Sequence, residues 1–316
     1  MKKILFKTTI PFTEDDWHVG RFSLPRAHLE SLADDRGSRL FAVTARDRRA
    51  GAGGDDPDLI GLPDSDFDEL WLFAVDVGGG LSTADASAIR RFIARGGGLL
   101  FTRDHHDLGA CLLKLGDIGN AQFFNSQNRE PEPWRHCADD LYNPTIHFPN
   151  YHSGRNGDLQ VIEPEPPLHP LLRRRGDASD PIVRFPAHPH EGAVGVPEAT
   201  KAYARVIAKG RSRTSGRDFN LIAVFDPEVA GSRSGRAVAH SSFHHFADYN
   251  WDPRLGCPGF VADPEGDQVL ADPDALDDIR AYAANLARWL SRDSLAPQDG
   301  ASERLSRRAA PTDAPA

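Results

Sequence analysis

The chain has 316 residues, 40% hydrophobic and 26% charged, enough to bury a substantial core. A formal charge of -9 excludes a general nucleic-acid or anionic-membrane surface, because neither polyanion would be attracted. Cys111, Cys137 and Cys257 are irregularly spaced and make neither a disulfide framework nor a thiolate zinc site, so a reducing cytoplasm is expected.

Met1-Lys2-Lys3 leads directly into Ile4-Leu5-Phe6, which reads as a first strand and not as a signal peptide. Leu24 to Ala33 has helical spacing, and Leu40 to Thr44 is a second strand. Ala50 to Asp58 is a Gly/Asp/Pro loop. Phe67 to Val75 is almost continuously apolar, as expected of a strand covered on both faces. Ser82 or Thr83 caps a helix through Arg95, Gly96-Gly97-Gly98 stops it, and Leu99 to Thr102 is the fourth strand. This alternation predicts an α/β fold with a mostly parallel sheet and helices on both faces.

The next stretch differs. Residues 120–158 are polar, aromatic and interrupted by proline, which predicts a loop-rich insertion over a site. Strand-like runs return at Leu159 to Ile162, Ile182 to Phe185, Tyr203 to Ala208, Phe219 to Phe225 and Arg236 to His240. A final helix starts at Asp272 or Asp274, with Leu276, Ile279, Tyr282, Leu286 and Trp289 on one stripe. Residues 293–316 carry no apolar face, so a disordered tail is expected after a single domain over 1–292. No apolar run approaches the roughly 20 residues of a spanning helix, so no membrane is expected among the partners.

Eleven of the thirteen histidines fall between His105 and His245, mostly in short polar runs. Imidazole titrates near neutrality and is a common metal ligand, so these runs are the candidate chemistry. Asp104, His105 and His106 follow the fourth strand, where ligands bind in open α/β sheets. His152, with Asn156 and Asp158 around two glycines, would add polar contacts to a substrate, although turn chemistry alone accounts for much of that composition. His188, His190 and Glu191 sit within four residues, a spacing that suits part of a Zn, Mn or Fe site or an acid–base pair. His244, His245, Asp248 and Trp251 follow the last strand. There Asp248 could orient a histidine and Trp251 could stack on a ring, or the aromatics could be core anchors. His18 could reach the same edge, and His28 reads as structural.

Three features give the chain a resemblance to a known family. They are the helix–glycine–strand passage Ile89 to Thr102 with its histidine-bearing turn, the pair His169-Pro170, and the strand Gly235 to Ala239 leading into His240. In these it resembles the trehalose-utilisation (ThuA-like) group of the class I glutamine-amidotransferase-like fold. The resemblance implies a flavodoxin-like sheet and, loosely, carbohydrate-related chemistry. True amidotransferases have a nucleophilic cysteine directly after the strand, where this chain has Arg103-Asp104-His105. Cys111 lies about two helical turns further on, so a Cys-dependent glutaminase is not expected.

The expectation is therefore a hydrolase or proton-transfer enzyme acting on a small polar molecule, a carbohydrate-like one if the resemblance extends to chemistry. Asp104 or Glu191 would be the base, with His105, His106, His152, His190 and His244 as acid, orienting or ligand groups. Asn156, Asp158, His245, Asp248 and Trp251 would bind substrate, a divalent metal could assist, and a homo-oligomer is compatible with the sequence. The alternative is a non-catalytic ligand-binding or regulatory module on the same fold.

Overall fold

Apolar runs bounded by glycine and polar turns form the strands, and amphipathic stretches form the helices that cover them. A computed structural model describes residues 1–123, 126–129, 158–174, 177, 179–187, 194–213, 216–261 and 267–292. The first part runs β1 (Lys2–Thr8), α1 (Ser23–Ser31), β2 (Phe41–Arg46), α2 (Pro57–Ile60), β3 (Glu69–Phe73), α3 (Thr83–Ala94) and β4 (Gly98–Thr102). The strands β5 (Leu159–Val161), β6 (Glu163–Pro164), β7 (Arg184–Pro186), β8 (Ala204–Arg211), β9 (Asp218–Phe225) and β10 (Ala237–His240) follow. The helices α4 (Asp248–Trp251), α5 (Gln268–Ala271) and α6 (Pro273–Leu290) complete the described part.

Among the described residues the main sheet has the order β2-β1-β3-β4-β10-β9-β8-β6. Its first five strands in that order are parallel, while β9, β8 and β6 are added antiparallel to their neighbours. The fold is thus α/β with a mostly parallel sheet, as the sequence predicts. β5 and β7 form a separate antiparallel pair. α2 lies inside the expected Gly/Asp/Pro loop, started by Pro57 and by the Asp56 carboxylate, which accepts from the Asp58 amide at 2.9 Å.

Alternation along each strand sends side chains to two cores. Trp71 and Phe73 of β3 join Phe22, Leu29, Ile279 and Tyr282 on one face. Leu70 and Leu72 join Ile89, Phe92, Leu99 and Phe101 on the other. Each such fully buried side chain stabilises the fold by about 1.5–3 kcal/mol. α3 begins with a capping box in which Ser82 and Asp85 each accept the other's backbone amide. It ends because Gly96 turns into the left-handed region at φ +106°. Gly98 must be glycine for a different reason, since a Cβ there would lie 2.7 Å from the Leu290 carbonyl of α6.

Most of the expected insertion and all of the expected tail lie outside the described residues. Among the described residues, no helix is long and apolar enough to cross a membrane.

Candidate functional site

β4 and β10 are parallel neighbours, so the residues after both strands emerge side by side at the carboxyl edge of the sheet. The pairing continues past the strands: the Arg103 amide donates to the His240 carbonyl at 3.3 Å, and the Phe243 amide donates to the Arg103 carbonyl at 3.1 Å. The Ser242 hydroxyl reaches Asp104 Oδ1 at 3.4 Å. Arg103 shapes the turn from inside. Its buried guanidinium donates to the carbonyls of Asp104 at 2.8 Å and His106 at 2.6 Å, and also to that of Phe123. Held this way, His106 adopts φ +50°, a left-handed value that costs a non-glycine residue on the order of 1 kcal/mol.

Asp104 is the centre of the arrangement. Its side chain is 1% exposed, and its Oδ2 lies 2.8 Å from His105 Nδ1 and 3.4 Å from His244 Nε2. The His105 approach is oblique, so it is an ion-pair contact more than an aligned hydrogen bond. Burial alone would push the carboxyl up, but the electrostatic pull of the His105 and His244 imidazoles outweighs it and holds Asp104 well below the usual carboxylate range. His244 is packed as well as paired. Its ring stacks on Phe243 at 4.2 Å, meets Trp17 edge-on at 4.9 Å, and places Nδ1 3.0 Å from the Tyr249 hydroxyl. Trp17 comes from the loop after β1, so three strand ends converge here. His18 turns aside to accept from the Gly20 amide at 3.1 Å and packs on Phe12.

Three residues expected to bind substrate are buried and bonded within the framework. His245 is fully buried and hydrogen-bonded to His240, Nδ1 to Nε2 at 2.8 Å, while His240 Nδ1 meets the Tyr282 hydroxyl at 3.1 Å. Burial pushes His240 down to about 3. Asp248 does not orient a histidine: it accepts from the Ser23 amide at 2.9 Å, the Ser23 hydroxyl at 2.6 Å and the Leu24 amide at 2.7 Å, completing the start of α1. Trp251 is the core anchor of the two readings, donating to the His245 carbonyl at 2.9 Å and packing near His28. His28 is structural, bonded to the Arg280 carbonyl at 2.9 Å.

Asp158 is half-buried just before β5, in the two-stranded ladder. His152, Asn156, His188, His190 and Glu191 lie outside the described residues, and with them the whole proposed metal set. Among the described residues, no group of three His, Cys, Asp or Glu could hold a metal ion. Both imidazoles point at the same oxygen of Asp104, a pairing that leaves that oxygen committed to the rings.

Cys111 is buried, with its thiol 3.0 Å from Asp76 Oδ1, and burial together with that carboxylate raises its pKa well above normal. A thiol in that state is a poor nucleophile. His169 caps the turn at Pro170–Leu172 and packs on Trp289, pushed down to about 3 by burial and by Arg205, Arg236 and Arg173. Sequence reasoning passed over Trp17, Arg103, Ser242 and Tyr249. Of these only Arg103 gave a signal, as the one cation within an acidic and imidazole-bearing strand end.

No protein-family profile matches the chain, and no curated protein does. Among solved structures it is similar to the glutaminase domain of a Trypanosoma brucei CTPS with bound acivicin, at 14% identity and a TM-score of 0.45, over 96% of this chain and 99% of that one. It is also similar to a putative ThuA-like protein from Parabacteroides merdae, at 11% identity and a TM-score of 0.42, over 92% of this chain and 90% of that one. The fold itself rests on the sheet order and strand directions given above.

Proposed function

We propose that the chain is an enzyme of hydrolase or proton-transfer type, with Asp104, His105 and His244 as its acid–base centre and a small polar molecule as its substrate. One observation supports this best: a buried, ionised carboxylate is touched by imidazoles from two different strand ends. Charged carboxylates are costly to bury, and structural ones are normally matched by arginine, lysine or backbone amides. Here the matching groups are imidazoles, the side chain that most often gives and takes protons in catalysis.

The chemistry follows from the contacts. Asp104 holds the Nδ1 side of His105, so Nε2 is the nitrogen that can take a proton from water or substrate, and the carboxylate stabilises the imidazolium that forms. Asp104 therefore works through His105 and does not itself meet the substrate. The His105 side chain is 31% exposed, which gives solvent and small molecules access to that ring. Neither Cys111 nor any other thiol is asked to act. His188, His190 and Glu191 remain the proposed holders of a Zn, Mn or Fe ion, and elemental analysis of the purified protein decides it.

The test is a turnover screen over esters, lactones, glycosides and enolisable sugars, repeated with Asp104→Asn. Loss of the properly oriented base lowers kcat/KM by about 10²–10⁴. Equal rates in the variant and the wild type, on any substrate found, would overturn the assignment.

A further inference from the structure

We infer that a cavity at the amino edge of the sheet, between α3 and the loop from β9 to β10, is a second binding site, built for a small apolar molecule carrying one carboxylate. The site is independent of the acid–base reading of Asp104. β10 separates the two: Ala237 at its start lines the cavity, and His240 at its end leads into Ser242 and His244. About 10 Å of strand lies between them.

The walls come from neighbouring elements. The last turn of α3 contributes Ile93 and Ala94, Phe225 closes β9 and Ala237 opens β10, so most of the lining is apolar. The loop between the two strands is fastened on both sides. The Gly235 amide donates to the Ile93 carbonyl at 2.7 Å, the Ser232 amide donates to the Pro227 carbonyl at 2.9 Å, and Arg292 reaches the Ser234 carbonyl at 2.6 Å. The cavity is thus formed before any ligand arrives. Its volume of about 290 Å³ lies at the small end for ligand pockets, a size for one ring and not for a nucleotide.

Charge decides what kind of molecule fits. Arg90 stands at the rim with its guanidinium bonded to the Lys114 carbonyl, and among the described residues no carboxylate pairs with it. The acids of the neighbouring loop are engaged elsewhere, since Asp226 and Glu228 both pair with Arg236. Ser232 donates its hydroxyl proton to Ser234 Oγ at 3.1 Å, which leaves the Ser234 proton to give. Tyr203 adds a phenol whose pKa is raised by burial and by the charge of Asp117, so it too keeps its proton. Asp117 itself is exposed and does not line the cavity, and solvent screens it from anything bound there. Three donors, one of them a full cation, over an apolar wall match an anion with an apolar body. A carboxylate meets a guanidinium best, because its two oxygens take parallel hydrogen bonds from the planar fork.

Phenylacetate is the probe, titrated into the full chain while backbone amide signals are followed by NMR. The amides of Ile93, Ala230 and Gly235 are expected to shift together with a Kd of about 1 mM, ordinary for about ten heavy atoms. Phenylacetamide keeps the ring and loses the charge, whereas acetate keeps the charge and loses the ring. Each is expected to bind about tenfold more weakly or worse. Phenylacetate is expected to weaken by about the same factor in Arg90→Gln, a change at an exposed helix position. Equal affinity for phenylacetate and phenylacetamide, or for the wild type and Arg90→Gln, overturns the inference by removing the carboxylate from it. Acetate binding as tightly as phenylacetate overturns it by showing an adventitious ion only. Shifts centred on residues 102–106, or no shift at the cavity, overturn it too. All of these readouts are separate from turnover, which Asp104→Asn tests.

Discussion

Two buried charge clusters sit along the same edge of the sheet, and they are built on opposite principles. Near the end of β1, the Lys7 ammonium is wholly buried, 2.8 Å from both Asp56 and Asp58 and 2.8 Å from the Asp47 carbonyl. Arg46 and Arg49 close on the outer side of Asp58. Burial would raise the Asp58 carboxyl, but Lys7, Arg46 and Arg49 outweigh it and lower its pKa. The counter-groups there are an ammonium and two guanidinium groups, and together they pin the loop between β2 and α2. At the ends of β4 and β10, Asp104 is as deeply buried, but its partners are imidazoles. Buried charge therefore does not by itself mark a site. What separates a fastening from a reactive centre is whether the counter-groups change charge near neutral pH.

The comparison breaks most visibly at Lys7. Replacing it with methionine keeps the volume and strands two buried carboxylates, which is expected to cost about 3–5 kcal/mol of stability in denaturant unfolding. Asp104→Asn removes a charge whose partners can simply become neutral, so its stability loss is expected to be well below that. Similar losses for the two variants would mean that the Asp104 cluster is structural too.

Acidification sharpens the contrast. His240 and His169 are both pushed down to about 3 by burial, whereas the unfolded chain takes up protons on them near pH 6.5. The native state thus binds fewer protons than the unfolded state at every pH between those values. Their stabilising contribution is complete above about 6.5 and is lost at about 1.4 kcal/mol per pH unit for each ring as pH falls toward 3. Unfolding free energies at pH 7 and pH 5 measure this, and Tyr282→Phe should leave the slope in place because burial is the cause of the His240 shift. A stability that does not change between those pH values would show that water reaches the His240–His245 pair.

The parallel half of the sheet was legible in the sequence because each strand there is a buried apolar run closed by glycine or a cap, and α6 announced itself by its stripe. Both strand-end runs were legible for the same reason, since polar residues directly after a buried strand have one place to go. The antiparallel direction of β8 and β9 was not legible, because a strand covered on both faces reads the same either way along the sheet. Nor were the separate fates of His244 and His245. Residues 244–246 form a tight single turn, which swings successive side chains about 120° apart. One imidazole therefore meets Asp104 and its neighbour meets His240. Residue type carried no trace of that divergence, nor of the internal bonds that His245, Asp248 and Trp251 make.

Asp248 offers the smallest and most selective test, because it is a third way of burying a carboxylate at this rim. Its partners are two amides and a hydroxyl at the start of α1, groups that neither titrate nor carry full charge. Burial raises its pKa, with those hydrogen bonds pulling against the rise. Asp248→Asn keeps an acceptor oxygen and loses the charge that favours a helix N-terminus, a change expected to cost about 0.5–1 kcal/mol in thermal or denaturant unfolding. Asp248→Ala removes the acceptor as well and is expected to cost about 1–2 kcal/mol. A loss in Asp248→Asn as large as that in Asp248→Ala would show that the charge, and not the acceptor oxygen, completes the start of α1.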